Sequence, residues 1–169
     1  MLRNNDLGDV LLSTPLLAGL RQNFQDSEIY IGVGDWAASL LVNNTDINGI
    51  IKCNAPWHNK QNCNYPANSY KTFLHGLFYV LLSNESRRIA DHRFTHGIDV
   101  LGSRQGSWLM RRVRIPKRFG VKGYAGGDNW CHKHIEFDAN RNVAESSLAF
   151  LNLLNKKSKV EPRPIINLD

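Results

Sequence analysis

Arg3-Asn4-Asn5-Asp6-Leu7-Gly8-Asp9-Val10-Leu11-Leu12-Ser13-Thr14-Pro15-Leu16-Leu17 is the stretch on which the reading of the fold turns. A polar loop, Asn4-Asn5-Asp6, gives way at Gly8 to apolar residues spaced four apart, Leu12, Leu16, Leu20 and Phe24, with Val10, Leu11 and Leu17 widening the face. That spacing predicts a helix over 8–24. Pro15 must then sit in a first turn, where its missing N–H costs nothing, or kink the helix. A doubly wound α/β domain enters its first glycine-containing loop from a buried central strand. Only Met1-Leu2-Arg3 precede this loop, so the first strand is expected to be a truncated stub.

Downstream the pattern alternates. Strands are predicted over 28–33, 47–53, 97–102 and 118–121, and helices over 36–42, 70–89, 108–113 and 142–154. The helix over 70–89 carries Phe73, Leu74, Leu77, Phe78, Leu81 and Leu82 and ends in Arg87-Arg88, where cations favour a helix C-terminus. Residues 54–68, with two prolines and five asparagines, read as a loop at the domain rim. Strands alternating with helices imply an α/β fold, a Rossmann-like, mainly parallel sheet with helices on both faces.

The 169 residues, 42% of them apolar, are enough for one domain with its own core. No run is long and apolar enough to span a membrane, and no signal peptide opens the chain, so a cytoplasmic location is expected, with the inner face of the cytoplasmic membrane as its margin. Cys53, Cys63 and Cys131 form an odd set without paired-ligand spacing and read as reduced thiols. Cys131-His132-Lys133-His134 likewise lacks the spacing of a structural zinc site, and no metal is expected. The net charge of +6 is concentrated between Arg87 and Arg118, where nine cations face only Asp91 and Asp99. Such a field attracts a polyanion: nucleic acid, anionic lipid or a phosphorylated glycan. Helix-turn-helix, RNA-binding and zinc-finger signatures are missing, which argues against nucleic acid.

The run Arg3 to Leu17 resembles the opening loop and first helix of glycosyltransferase family 9, the ADP-heptose:lipopolysaccharide heptosyltransferases. Gln25-Asp26-Ser27-Glu28-Ile29-Tyr30 is similar to the family's turn into its second strand, Gly120-Val121-Lys122-Gly123-Tyr124 to a glycine-and-tyrosine segment, and Arg141-Asn142-Val143-Ala144-Glu145 to the start of the closing helix. The resemblance spans nearly the whole chain, and the first block is its distinctive part. It implies the N-terminal half of a two-domain GT-B glycosyltransferase. On this reading 1–158 form the acceptor-side domain, 159–169 begin the interdomain linker, and the C-terminal nucleotide-sugar domain is absent. The family implies inverting transfer, without metal or cofactor, of a heptose-type sugar from ADP-heptose or a related nucleotide sugar to inner-core lipopolysaccharide. The chain alone is then expected to be inactive, its activity belonging to the two-domain form.

Asp9 matches the position of the family's proposed general base, a role that needs a carboxylate within hydrogen-bond reach of the acceptor hydroxyl. Equally, Asp9 reads as a helix-start carboxylate that satisfies free N–H groups. Asp6 is the competing carboxylate. Gly8 lies where a helix N-terminus can approach an anion, and Ser13 and Thr14 either touch ligand or cap the Pro15 turn. Arg104, Arg111 and Arg112, with Arg114, are expected on the sheet's C-terminal side, able to grip acceptor carboxylates or phosphates. Trp57, Tyr65 and Tyr70 either stack on sugar or pack in the core or at the rim. Two further readings stay open: a non-catalytic, basic Rossmann-like binding module, and an inactive fragment of such an enzyme.

Overall fold

The computed structural model describes residues 1–66 and 69–166. Residues 67–68 of the expected rim loop and 167–169 of the expected linker lie outside them. Among the described residues five strands run in parallel: β1 (Tyr30–Val33), β2 (Gly49–Lys52), β3 (His96–Ile98), β4 (Lys117–Lys122) and β5 (Lys133–Glu136). The pairs form two groups, β1-β2 and β3-β4-β5. Met1-Leu2-Arg3 joins them. Leu2 bridges Gly32 on one side and Asp99 on the other, both in parallel. Its backbone N–H donates to the Ile98 carbonyl at 2.7 Å, and Arg3 N–H donates to Gly32 at 2.9 Å. The short first segment therefore occupies the centre of a continuous parallel sheet in the order β2-β1-(Met1–Arg3)-β3-β4-β5.

Alternate residues on each strand point to opposite faces, and two cores result. Ile31, Val33, Ile98, Val100, Phe119 and Val121 pack against Val10, Leu16, Leu17, Phe150 and Leu151. These belong to α1 (Leu7–Leu11), α2 (Thr14–Asn23), α7 (Val143–Leu148) and α8 (Phe150–Leu153). On the other face Leu2, Cys53, Trp57 and Leu101 meet Val80, Ile89, Leu109 and Met110. Those come from α4 (Tyr70–Leu82), α5 (Asn84–Asp91) and α6 (Arg104–Arg112). Each fully buried aliphatic or aromatic side chain contributes roughly 1.5–3 kcal/mol, so both helical layers are held by several such anchors.

The expected helix over 8–24 is two helices. Ser13 and Thr14 fold back onto the carbonyls of Val10 and Leu11 at 2.7 and 2.8 Å, ending α1, and Pro15 stands in the first turn of α2. The helix over 70–89 also divides, at Ser83, whose extended backbone ends α4 while its hydroxyl caps α5 by accepting from Ser86 N–H. The helix over 36–42 appears as α3 (Asp35–Ala38) continued by a 3-10 turn, Ser39–Leu41. Helix α6 begins at Arg104, four residues before the expected start at 108, with the Ser103 hydroxyl accepting from Gly106 N–H at 2.9 Å. Strand β5 was not expected from the sequence at all.

The rim segment after β2 is irregular but well tied. Asn59 Nδ2 donates to the Ala55 and Trp57 carbonyls, and Asn62 Nδ2 donates to the Asn54 carbonyl. Asn4 and Asn5 donate to the carbonyls of Trp57 and His58 at 3.1 and 3.0 Å. Asn59 and Asn62, two of the asparagines that made this stretch look like a loop, thus satisfy part of its backbone.

Candidate functional site

Ligands of open α/β sheets bind outside the carboxyl ends of the strands. A cavity of about 230 Å³ opens at that edge, lined by Arg3, Asn5, Asp9, Tyr124, Glu136 and Arg141 over an apolar floor that includes Val100, Val121 and Phe150. A larger cavity of about 590 Å³ opens at the opposite edge, among Met1, Tyr30, His96, Lys117 and Lys133. There the strands begin, and no sequence-predicted site residue lies on its wall.

Asp9 is in the first turn of α1, and one of its oxygens, Oδ1, accepts from Arg3 Nη2 at 3.1 Å. The arginine is 5% exposed, whereas the Asp9 side chain is 36% exposed. The guanidinium is thus sunk beneath a carboxylate that still reaches the cavity. Burial lowers the Arg3 pKa from its ordinary value, and the nearby charges of Asp9 and Asp99 work against that shift. Arg3 Nε and Asn5 Oδ1 are buried without a hydrogen-bond partner among the described residues. A polar ligand in the cavity is one way to satisfy them. At the far wall Arg141 pairs with Asp138 at 3.4 Å, with more than half of its side chain exposed.

Asp99 lies behind this site. It is fully buried, and Ser103 N–H donates to its Oδ2 at 3.0 Å. Burial pushes its carboxyl up to about 6, the hydrogen bonds from Ser103 and Gly102 and the Arg3 charge opposing the shift. Its second oxygen has no partner among the described residues.

The structure brings together only some of the expected residues. Asp6 accepts from Lys60 N–H at 3.1 Å and so anchors the rim loop. Gly8 has open space where a side chain would stand, so no close approach depends on it. Ser13 and Thr14 are buried, and Thr14 also accepts from Ile165 N–H at 2.8 Å. Their hydroxyls join α1 to α2 and hold the 159–166 segment rather than facing the cavity. Arg104 stands exposed at the start of α6, with its N–H on the Ala125 carbonyl, at the correct edge but on the other face of the sheet. Arg111 and Arg112 end α6. A helix linking two parallel strands runs back against them, so these arginines arrive where β4 begins, the edge opposite Asp9. Arg111 there lies over the Trp130 ring at 4.5 Å.

Trp57 is fully buried, edge-on to Tyr79 at 5.3 Å, and does not face ligand. Tyr65 sits against His75, and Tyr70 is exposed. His132 Nδ1 accepts from Arg118 N–H, and Cys131 donates to the Gly127 carbonyl. Among the described residues no group of three or more His, Cys, Asp or Glu side chains could hold a metal ion, and no helix is long and apolar enough to cross a membrane. Arg3 and Arg141 were the residues that sequence reasoning did not single out, although both lie inside segments that it quoted.

No family profile matches the chain, and no curated protein matches it in sequence. Solved structures do match its fold. A glycosyl transferase family 9 structure from Veillonella parvula superposes with a TM-score of 0.74 at 19% identity, covering 99% of this chain and 44% of its own. The E. coli heptosyltransferase WaaC with ADP gives 0.70 at 12% identity, with 95% and 48% covered. E. coli ADP-heptose lipopolysaccharide heptosyltransferase II gives 0.64 at 13%, with 99% and 46% covered. The chain has the mixed α/β, parallel-sheet fold found in these glycosyltransferases and spans about half their length.

Proposed function

We propose that this chain is the acceptor-side, N-terminal half of an inverting glycosyltransferase of the heptosyltransferase type, with Asp9 as the general base. The observation that carries the reading is the Asp9 carboxylate, held by buried Arg3 at the mouth of a cavity at the carboxyl edge of the sheet. The fold likeness to family 9 structures supports the same class.

In this reading the acceptor sugar lies over the Val100, Val121 and Phe150 floor, with anionic substituents toward Arg141 and polar ones toward Asn5 and Tyr124. Its hydroxyl gives a proton to the free oxygen of Asp9 while the hydroxyl oxygen bonds to the anomeric carbon. The bond from that carbon to the nucleotide diphosphate breaks on the opposite face, inverting the centre. Arg3 fixes one Asp9 oxygen and leaves the other directed at substrate, which is positioning rather than proton transfer. Arg104 is at the rim, where a longer acceptor would pass, whereas Arg111 and Arg112 are too far round the sheet to contribute.

The donor, ADP-heptose or a related nucleotide sugar, is bound mainly by residues beyond the half spanned here, so the 169-residue chain alone does not turn over. One solved neighbour holds ADP and another ADP-2-deoxy-2-fluoro heptose, which favours this donor class. The chemistry proposed needs no metal. The test joins the chain to a donor-binding half and follows transfer from ADP-heptose to a heptose-free core oligosaccharide. Asp9→Asn should lower turnover by at least about 10²-fold, the scale of general-base catalysis. Turnover equal to the parent would remove Asp9 as base.

A further inference from the structure

Helix α4 is packed inside out. The side chains it buries are the small ones, Thr72, Gly76 and Val80, set four apart. Gly76 faces Gln105 and Trp57 and lets α4 lie close on the neighbouring layer. Tyr79 packs inward on Trp57, but most of the large apolar side chains point outward: Tyr70 is 72% exposed, Phe78 57% and Leu82 59%, with Phe73 and Leu81 also exposed. With partly buried Leu74 and Leu77 they form one stripe along the helix, at spacings of three and four residues. A contiguous exposed stripe of this kind marks an interaction surface.

The exposed charges on α4 and α5 are mainly positive, with exposed Asp91 at the end of α5 as the exception. Lys71 and, on the following helix, Arg87 and Arg88 are exposed. The one carboxylate between them, Glu85, is turned inward: it accepts from Asn54 N–H at 2.7 Å and from the Tyr79 hydroxyl at 2.7 Å. Exposed aromatic and leucine side chains beside exposed cations suit the boundary between acyl chains and anionic headgroups. Thirteen residues make α4 about 20 Å long, enough to lie in that boundary but not to cross the bilayer. A second copy of the chain fits less well, because a two-fold contact through the stripe would bring the two sets of Lys71, Arg87 and Arg88 together.

We infer that the α4–α5 face docks on an anionic lipid surface, with Phe73, Phe78, Leu81 and Leu82 inserted and Lys71, Arg87 and Arg88 among the headgroups. This moves membrane attraction away from the arginines at the end of α6, and it does not depend on the transferase reading. The rim loop ties this face to the candidate site. The Thr72 hydroxyl donates to the Pro66 carbonyl at 2.9 Å, and the same loop receives hydrogen bonds from Asn4 and Asn5.

The test is co-flotation of the 169-residue chain with vesicles of phosphatidylethanolamine and phosphatidylglycerol, against vesicles of phosphatidylcholine alone. Binding should favour the anionic vesicles and weaken with salt. Arg87→Gln with Arg88→Gln should weaken it by roughly 30-fold, taking about fivefold for each surface cation. Phe78→Ser with Leu82→Ser should abolish it, with the melting temperature kept because all four side chains are exposed. Asp9→Asn should leave it unchanged, so a failed transferase reading stays distinct from a failed docking reading. Absence of binding by the parent, or undiminished binding by both double variants, would overturn the proposal. So would a parent dimer that the Phe78/Leu82 variant converts to monomer without any vesicle binding, since the stripe would then be a self-association surface.

Discussion

Replacing Asp9 tests structure as well as chemistry, because the carboxylate neutralises a buried cation. Arg3 is 5% exposed, and its guanidinium meets Asp9 at 3.1 Å. Two unit charges about 4 Å apart attract by about 4 kcal/mol at an effective dielectric near 20. The Asp9 side chain is 36% exposed, and Asp99 also lies within range of Arg3, so about half of that is lost on removing the carboxylate, or ~2 kcal/mol. For a chain of this length 1 kcal/mol moves the melting temperature by about 2–4 °C. Asp9→Asn should therefore melt about 4–8 °C below the parent. Arg3→Met in the Asp9→Asn background removes the stranded cation and should restore most of that loss, because an apolar side chain of similar length suits a buried site. Thermal melts read the stability, and transfer by the joined two-domain protein reads the chemistry. The double variant should be stable and inactive. An Asp9→Asn protein as stable as the parent, or a double variant no better than the single one, would refute the pairing argument even if turnover were lost.

Trp57→Phe should cost less than about 1.5 kcal/mol, because the indole N–H it removes is buried without a partner among the described residues, whereas Trp57→Ala should cost about 3–5 kcal/mol; urea unfolding separates the two. Gly102→Ala should destabilise by at least about 2 kcal/mol in the same assay, since its φ of +72° strains any L side chain and a Cβ would stand 2.4 Å from that of Val121. Asp99, raised by burial from 3.8 to about 6, binds its proton in the folded chain where the unfolded chain has lost it. The folded state therefore holds more protons between about pH 4 and 6, and this group's contribution makes stability fall as pH rises through that window. Asp99→Asn should flatten that slope in pH-dependent melts, and an unchanged slope would assign it to other groups.

The sheet and most of its layers were legible because their signals are local: alternation within a strand, apolar spacing within a helix, a proline that can only open one. What escaped depended on neighbours. Helix α6 opens with Arg104-Gln105-Gly106-Ser107, ahead of the start expected at 108. Gly106 is needed because a Cβ would stand 2.3 Å from Asp99 Oδ2, a contact with no trace in the spacing. Strand β5 hides in Lys133-His134-Ile135-Glu136, an edge strand with partly exposed polar residues and little apolar content. The Arg3–Asp9 pair spans six positions across a loop. It forms only because the three-residue first segment sits at the centre of the sheet with α1 above its end. The misplaced arginines had a legible answer, since a crossover helix must return its C-terminus to the edge where the next parallel strand starts.

Periodicity states which residues share a face and is silent on where that face points. In α2 the spacing of Leu16, Leu17 and Leu20 marks the buried side. In α4 an equally regular spacing marks the exposed one, and the difference lies in the residues between. Thr72, Gly76 and Val80 are small enough for the helix to settle on α6 through its less hydrophobic side, leaving Phe78 and Leu82 outside. A sequence optimised for burial in water would place those two groups the other way round. The inversion therefore implies a use for the large face, and the inward hydrogen bonds of Glu85 leave the charge at its margin net positive, Lys71, Arg87 and Arg88 against Asp91. Apolar stripe, withdrawn carboxylate and flanking arginines are three independent features of one short segment, and an anionic lipid surface accounts for all three.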